Sequence, residues 1–368
     1  MIKRVLSLTS LSSRRVIAWG CGQTFLDCMK VKSLEFMAYV DSDVSKKSVC
    51  NRGVAHALER PSFVESMATD AVVIIYTPNF FTVKTSLEQY GFKHGKDFFY
   101  FLDFIEYSAV FNSICREKEY AFLDRIIQPS DVCFDIGANV GLYACKLANL
   151  SGYVGLNNGC HDACSVFAFE PIPTNYSTLT YHRDLLGISN LCLVNKAVTE
   201  RSGMVIEMVM PYVNGIPMTG HSHIKGVQGQ IGNTLNERST VESSSFAFDS
   251  KLLVDTISVD AFSLDHKLTS LRYMKIDVEG AEDQVLYGAA ATLKRFNPIV
   301  QVEIAFSSTE RLQLLFKFME ALGYQLMYLG DNDFTLIHCS ELLEGEKNYF
   351  FLHESHMKEL REHVSNQT

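Results

Sequence analysis

The chain has 368 residues, a formal net charge of −9, 47% hydrophobic residues and 20% charged residues. This length favours two domains, and the negative charge, without a basic run, argues against a nucleic-acid partner. No apolar stretch is long enough to span a bilayer. The ten cysteines are scattered rather than paired in a framework. We therefore expect a cytoplasmic protein that is not membrane-spanning and keeps its thiols reduced.

The N-terminal part of the chain has the pattern of a small Rossmann-like βαβ domain. Its predicted strands are the apolar runs 15–19, 35–40 and 71–76. A turn at Gly20 and Gly22 follows the first strand, and Asp41 follows the second, an arrangement that resembles a dinucleotide site. Phe25 stands where the third glycine of that site would be. The domain is predicted either to bind a nucleotide or to be a degenerate module used for packing.

A domain boundary is predicted near residue 110. The aromatic run 98–104 would complete the first sheet, and residues 115–127 have apolar positions at helical spacing. The predicted domains are therefore 1–110 and 111–368.

The most informative segment, residues 131–141, reads Asp-Val-Cys-Phe-Asp-Ile-Gly-Ala-Asn-Val-Gly. It predicts a strand, a tight glycine turn and a helix, the place where open α/β sheets bind nucleotides. The two glycines, Gly137 and Gly141, do not match the three-glycine dinucleotide fingerprint. Asp135 would repel a pyrophosphate and attract a cationic group such as an amino-acid ammonium. The turn therefore suits S-adenosylmethionine better than NAD.

Later segments extend this pattern. A second strand at 165–169 ends at Glu170, which is placed to accept hydrogen bonds from ribose hydroxyls. A third strand at 191–198 ends where an adenine ring would lie. Residues 151–164 are turn-rich and look inserted. Their Cys160-His161-Asp162-Ala163-Cys164 run has no second pair at ligand spacing, so no metal site is predicted.

The remaining elements are predicted from short apolar runs separated by polar or glycine-rich segments. Residues 203–250 are irregular and glycine-rich, as is typical of a substrate-binding lid, and His221 and His223 are weak candidates for polar contacts there. The next strand is predicted at 254–259 and ends at Asp260. The fourth strand of the main pattern begins at Tyr273, and a helix after its turn is predicted to continue to about Phe296. The last predicted strands are 298–304, 324–329, 335–338 and 349–353.

The blocks Phe-Asp-Ile-Gly-Ala-Asn-Val-Gly, Phe-Glu-Pro, Asn-Lys-Ala-Val, Lys-Ile-Asp-Val-Glu-Gly-Ala-Glu and Val-Glu-Ile occur in this order. Over roughly residues 112–353 the chain resembles the FkbM family of S-adenosylmethionine-dependent methyltransferases, and the fourth block is the specific one. The resemblance implies a cofactor site formed by Asp135, Gly137, Asn139, Gly141, Glu170, Asn195 and Ala197. It also implies that three residues face the reacting centre: Lys275, Asp277 and Glu279.

The resemblance implies methyl transfer to a hydroxyl oxygen of a sugar, glycan or natural product. Because catalytic groups lie at the carboxyl ends of parallel strands, Asp277 is the candidate general base. Lys275 would share its face of the strand and tune its charge, and Glu279 would bind substrate hydroxyls. The predicted fold is α/β, a seven-stranded Rossmann-like methyltransferase sheet with one antiparallel strand, preceded by the smaller βαβ domain.

Other functions stay open at this point. One alternative is an NAD-dependent sugar-modifying oxidoreductase or epimerase that uses the N-terminal domain. It is weakened by Phe25 and by the absence of a Tyr-x-x-x-Lys pair in a plausible helix. Another is a non-catalytic binding protein on a degenerate methyltransferase fold. It is weakened by the presence of Asp135, Glu170 and Asp277. The expected partner is a small-molecule or glycan acceptor, and the oligomeric state is left open, with a homo-oligomer as one option.

Overall fold

The computed structural model describes most of the chain. The described residues are 6–11, 13–42, 46–67, 71–78, 80–104, 107, 110–111, 114–152, 164–210, 212–213, 216–217, 222–224, 250–304, 308–331, 335–357, 360 and 364–365. Two compact units are present, one comprising residues 1–115 with 184–187 and the other comprising 116–183 with 188–368. In the described part of the chain, no helix is long and apolar enough to cross a membrane.

The first unit contains a parallel sheet flanked by helices. Its elements are β1 (Arg15–Trp19), α1 (Gln23–Val31), β2 (Ala38–Val40), β3 (Ser48–Asn51), β4 (Val54–Ala57), α2 (Pro61–Ser66), β5 (Ala71–Ile75), α3 (Phe80–Gln89) and β6 (Phe98–Tyr100). The parallel sheet has the order β2-β1-β5-β6, and β3 and β4 form a separate hairpin. This order is that of half a Rossmann fold.

The glycine turn of the first unit packs closely against the following strand end. Gly20 has a φ of +87°, and a Cβ there would lie 3.1 Å from Thr77. Phe25 is fully buried and contacts the rings of Phe36 and Tyr39 edge-on. The position of the third dinucleotide-site glycine is thus filled by a core aromatic ring.

The second unit begins with a helix and alternates strands and helices. Its elements are α4 (Lys118–Ile126), β7 (Cys133–Ile136), α5 (Leu142–Ser151), β8 (Val166–Phe169), α6 (Pro173–Leu186), β9 (Leu191–Val194), β10 (Ala197–Val198), β11 (Val205–Met210), β12 (Tyr212–Val213), β13 (Ile216–Pro217), β14 (His223–Ile224), β15 (Ser250–Ile257), α7 (Val259–Asp265), β16 (Tyr273–Ile276), α8 (Glu282–Tyr287), α9 (Ala290–Phe296), β17 (Ile299–Glu303), α10 (Thr309–Ala321), β18 (Tyr324–Leu329), β19 (Leu336–His338), β20 (Asn348–His353), α11 (Glu354–Met357) and β21 (Val364–Ser365).

The main sheet of the second unit has the strand order β21-β19-β18-β20-β17-β16-β7-β8-β9. The predicted mixed α/β fold is confirmed, but the strand count is not, since the sheet has nine strands rather than seven. Strand β20 lies between β17 and β18 and is antiparallel to both. Strand β19 is antiparallel to β18, and β21 pairs with β19 in parallel. Three strands, not one, therefore run against the parallel set. A two-residue edge strand such as β21 has too little sequence to show a period.

The predicted third strand is divided between two sheets. Residues of β9 pair with β8 in the main sheet, whereas β10 pairs with β15 in a second sheet of order β10-β15-β11-β14. The side chain of Asn195, between them, donates hydrogen bonds to the carbonyl oxygens of Glu170 and Pro171, at 2.7 and 3.1 Å. These bonds hold the chain at the end of β8, so it leaves the main sheet.

The predicted helix to Phe296 is also divided, into α8 and α9. Between them, a Cβ on Gly288 would lie 2.5 Å from the carbonyl oxygen of Thr199, so the break allows a close approach of backbones. The carboxylate of Asp260 accepts hydrogen bonds from the backbone N–H groups of Ala291 and Thr292. Asp260 therefore caps the start of α9, a structural role that the sequence left unassigned.

The two faces of the parallel strands differ in chemistry because side chains alternate along each strand. One face carries Phe134, Met274 and Val300, which belong to a large apolar cluster. The opposite face carries Asp135, Lys275 and Gln301, which stand side by side in the strand register and are all buried. The polar face thus leads to the carboxyl ends of the strands, where the site lies.

Substitution of Gly137 tests the closest backbone approach in this sheet. Gly137 has a φ of +80°, and a Cβ there would overlap the carbonyl oxygen of Asp277. We expect Gly137→Ala to lower the free energy of unfolding of this unit by about 3 kcal/mol or more, measured by calorimetry. Gly203→Ala is the matched control, because Gly203 also has a positive φ but has no atom within 4 Å of its Cβ position. It should cost about 1–2 kcal/mol. Equal losses would contradict the steric argument.

Candidate active site

A cleft opens at the carboxyl ends of the parallel strands, where ligands of open α/β sheets bind. Its lining residues come from the glycine turn, the ends of β8 and β16, and the second sheet: Gly137, Asn139, Phe169, Glu170, Pro171, Ile172, Asn175, Lys196, Ala197, Val198, Met208, Ser222, Ile224, Asp277, Val278 and Glu279. One wall is apolar and the other carries carboxylates, so the cleft suits an amphipathic ligand.

Glu170, at the end of β8, is the polar anchor of the cleft. Its carboxylate accepts hydrogen bonds from the backbone N–H groups of Asn139 and Ile172, each at 2.8 Å. Burial raises the pKa of Glu170 to about 7, and these two hydrogen bonds oppose that shift. The bonds fix the orientation of the carboxylate, while each oxygen keeps lone-pair capacity for a ligand.

Asp135 does not line the cleft but lies beneath the glycine turn. It is 1% exposed, and neither carboxylate oxygen has a hydrogen-bond partner of ordinary geometry among the described residues. Burial raises the pKa of Asp135 to about 6, and the charge of Lys275 opposes the shift. Its effect on a ligand in the cleft would thus be electrostatic rather than a direct contact.

Lys275 and Asp277 form the charged pair at the end of β16. The Nζ atom of Lys275 donates to Oδ2 of Asp277 at 2.8 Å and lies 4.6 Å from the ring centroid of Tyr143. Burial alone would lower the pKa of Lys275, but Asp277 and Asp135 raise it above its ordinary value. Lys275 therefore remains an ammonium and holds one oxygen of Asp277, whose other oxygen accepts no hydrogen bond from the described residues.

A chain of hydrogen bonds behind this pair was missed by the sequence analysis. The phenol of Tyr143 donates to Oε2 of Glu117 at 2.6 Å, and Nε2 of Gln301 donates to the Tyr143 oxygen at 3.3 Å. The phenol of Tyr273 donates to Oε1 of Gln301. Gln301 interrupts an otherwise apolar strand, which was the available signal. Glu117 lies outside the strand pattern and gave none.

The turn that follows β16 holds Glu279 in an unusual conformation. Glu279 has a φ of +55°, which non-glycine residues seldom adopt, and it lines the cleft. The turn is clamped at Gly280, whose N–H donates to Oε1 of Glu282 at 2.8 Å and whose carbonyl accepts from Arg311 at 2.9 Å. Arg311 also binds both carboxylate oxygens of Asp283. Glu282 thus serves the turn and does not line the cleft.

The carboxylates around Asp277 raise one another's affinity for protons. Burial raises the pKa of Glu279 to about 8, and Asp277 and Glu303 act in the same direction. Burial raises the pKa of Glu303 to about 7, Asp277 adds to the shift, and Lys275 opposes it. Shifts of this kind are common at active sites, and here they reflect burial and the close spacing of several acidic groups.

The structure brings together most, but not all, of the predicted site residues. Six of them line the cleft: Gly137, Asn139, Glu170, Ala197, Asp277 and Glu279. Four lie outside its lining: Asp135, Gly141, Asn195 and Lys275. A Cβ on Gly141 would overlap the side chain of Leu179, so this glycine serves helix packing. The apolar lining residues Met208 and Ile224 were not predicted, because their contact with the cleft depends on the second sheet.

Several predicted features lie outside the described residues. They include His221, residues 153–163 of the turn-rich segment 151–164, and residues 225–249 of the predicted lid. His223 lies in β14, and its neighbours Ser222 and Ile224 line the cleft. Among the described residues, no group of three or more His, Cys, Asp or Glu side chains is arranged to hold a metal ion.

Comparison with known proteins gives a family match. The model of the methyltransferase FkbM domain matches residues 135–326. Hexuronic acid methyltransferase AglP of Haloferax volcanii is 24% identical over 180 residues, which cover 48% of this chain and 57% of that protein. The chain thus spans little more than half the length of this relative.

Two solved structures are also similar. Methyltransferase FkbM from Methylobacillus flagellatus KT is 14% identical, with 92% of this chain and 89% of that chain covered and a TM-score of 0.34. Fibrillarin of Aeropyrum pernix, solved with natively bound S-adenosyl-L-methionine, is 9% identical, with 61% and 67% covered and a TM-score of 0.31.

Substitution of Arg311 tests the clamp on the turn. We expect Arg311→Ala to lower the free energy of unfolding by on the order of 2 kcal/mol, because Asp283, which is 6% exposed, would lose its charged donors. Lys251→Ala is the control, since the ion pair of Lys251 with Glu207 is exposed at the lysine and long, at 3.5 Å, and such pairs contribute roughly 0–1 kcal/mol. A loss for Arg311→Ala no greater than the control's would show that the clamp adds nothing to stability.

Proposed function

The chain belongs to the FkbM methyltransferase family, and we propose that it transfers a methyl group from S-adenosylmethionine to a hydroxyl oxygen of a sugar, glycan or natural product. The observation that carries this proposal is the position of Asp277. Asp277 lines the cleft beside the glycine turn, and Lys275 holds one oxygen of its carboxylate. A base is thereby placed at the border between the cleft and the polar face of the sheet.

The residues of the cleft fit the proposed cofactor. Gly137 has no side chain, so a ligand can approach the backbone of the turn closely. Glu170 offers a fixed carboxylate for the two ribose hydroxyls. The buried Oδ1 atom of Asn139 has no hydrogen-bond partner among the described residues and is available to a donor on the ligand. The polar groups required by a nucleoside with an ammonium-bearing tail are therefore present.

The apolar wall would hold the adenine ring. Phe169, Ile172, Ala197 and Val198 line this part of the cleft. We propose that the ring lies against Ala197 and that Asn195, which does not line the cleft, contributes by holding the chain at the end of β8. The charge of Asp135 beneath the turn would favour the cationic end of the cofactor.

The chemistry assigned to the protein is orientation and proton removal. When bound, S-adenosylmethionine supplies an activated methyl group on a sulfonium and becomes a neutral thioether after transfer. The acceptor hydroxyl donates its proton to the open oxygen of Asp277 as its own oxygen forms the new bond to carbon. Lys275, which stays charged, holds the carboxylate of Asp277 in place. Glu279 is placed to accept hydrogen bonds from other hydroxyls of the acceptor.

The relative from Haloferax volcanii, a hexuronic acid methyltransferase, supports a sugar as the class of acceptor but not a particular substituent on that sugar. A role in polysaccharide biosynthesis would follow from such an acceptor. The nine cysteines of the described residues are all free, which agrees with the cytoplasm that we propose as its location.

Glu170→Gln tests the cofactor site. A glutamine replaces one acceptor oxygen by an NH2 group. This NH2 group would face a backbone N–H, and the hydrogen bond from a ribose hydroxyl to the replaced oxygen would be lost. We expect the Kd for S-adenosylhomocysteine to rise at least tenfold, measured by isothermal titration calorimetry. Glu119→Gln is the control, because Glu119 is also a buried carboxylate, 2% exposed with its pKa raised to about 7 by burial, but lies outside the cleft lining. An unchanged Kd in Glu170→Gln would argue against this ribose site.

Asp277→Asn tests the proposed base. The amide keeps the shape of the side chain but does not take up the hydroxyl proton, so kcat should fall by about 10²- to 10⁴-fold. The measurement is methyl transfer from S-adenosylmethionine with an accepted glycoside, with S-adenosylhomocysteine binding followed in parallel. Asp265→Asn, at an exposed position of α7, is the control. If kcat of Asp277→Asn stays within about threefold of the parent, Asp277 is not the base.

A further inference from the structure

The acceptor side of the site is defined by the register of three strands. Asp277 and Glu303 come directly after the paired residues Ile276 and Val302, so they stand in one row on the polar face. Asn348 of β20 is paired with Glu303 and continues this row. Glu303 and Asn348 are both partly exposed, although neither belongs to the cleft lining. The row therefore extends from the cleft toward solvent, away from the proposed adenine wall.

Carboxyl groups outnumber ammonium groups in this region among the described residues. Glu279 lies on the turn beside the row, and Glu117 lies close enough to influence Glu303. With Asp277 and Glu303, this region therefore holds four carboxyl groups. The ammonium of Lys275 is buried and already bound to Asp277 at 2.8 Å. It is not presented to an incoming group.

The second nearby cation does not reverse this balance. Lys347 lowers the proton affinity of both Glu279 and Glu303. It is an exposed residue, so water and salt screen its charge more than the partly buried carboxyl groups are screened. The backbone of Glu279 also has a φ of +55°, a conformation that carries an energetic cost for a non-glycine residue.

We propose that the methyl acceptor carries no anionic group beside its reacting hydroxyl, and that an amino sugar is preferred over a neutral sugar, which is preferred over a uronic acid. This inference rests on the proposed function and names the acceptor class for the same site. Carboxylates accept hydrogen bonds from hydroxyl and ammonium groups, and the latter are the stronger bonds. A uronate carboxylate at the same place would face the carboxyl groups of Asp277, Glu279 and Glu303, while the ammonium of Lys275 is already bound to Asp277.

The test compares three methyl glycosides of one hexose series as acceptors: the 2-amino-2-deoxyhexoside, the unmodified hexoside and the hexuronide. The measured quantity is kcat/KM for methyl transfer at pH 8 and fixed ionic strength. We expect the hexuronide to react at least tenfold less efficiently than the hexoside, and the amino sugar at least as efficiently as the hexoside. A hexuronide within twofold of the hexoside, or better, overturns the inference.

Glu303→Gln tests whether the row causes the discrimination. Removal of one negative charge should raise the ratio of hexuronide to hexoside kcat/KM by threefold or more. A higher salt concentration should also raise this ratio in the parent protein, because salt screens the repulsion. The matched control is Glu341→Gln, which removes a charge at an exposed position outside the site and should leave the ratio unchanged. An unchanged ratio in Glu303→Gln contradicts the assignment.

Calorimetry with S-adenosylhomocysteine separates failure of this inference from failure of the proposed function. A protein that binds the cofactor product and methylates the hexuronide as well as the hexoside is a methyltransferase with a different acceptor class. A protein that binds it but methylates none of the three glycosides does not use such sugars, which also overturns the inference. Absence of binding refutes the proposed function itself, and the acceptor assignment with it.

Discussion

The site depends on one close approach between neighbouring strand ends. Gly137 follows β7 and Asp277 follows β16, and the backbones meet so closely that a side chain on Gly137 would overlap the Asp277 carbonyl. The N–H of Asp277 donates to the carbonyl of Ile136 at 2.9 Å, which continues the strand pairing to this point. The glycine turn and the proposed base therefore have a fixed relative position, and neither can move without disturbing the sheet.

Burial then sets the electrostatics of the region. Asp135, Glu170 and Glu282 are each nearly or fully inaccessible, and burial raises the pKa of all three. A globular core ordinarily avoids such groups unless they are paired. Around the cleft, Glu170 lies at the end of β8, Asp135 lies beneath the glycine turn and Glu282 lies at the start of α8. Their unfavourable solvation is a cost that hydrogen bonds to the backbone offset only in part.

Sequence patterns predicted the elements whose causes are local. The strand Arg15–Trp19 was predicted at its observed bounds, and the turn at Gly137 was identified because a strand, glycines and a helix follow one another directly. The break at Asn195 was not predicted, because its side chain binds carbonyl groups about 25 residues earlier in the chain. The same holds for Glu117, which precedes α4 and whose partner Tyr143 lies in α5. Long-range contacts of this kind have no periodic signal in the sequence.

The second sheet has a further consequence for how such a protein diversifies. Its residues Met208 and Val254 form a small apolar cluster of their own with Ile172 and Ala197, apart from the large core. The sheet nevertheless supplies part of the wall of the cleft. Mutations there are thus partly insulated from the folding of the main sheet. Ligand preference and scaffold stability can accordingly evolve as nearly independent traits, with the catalytic framework inherited unchanged.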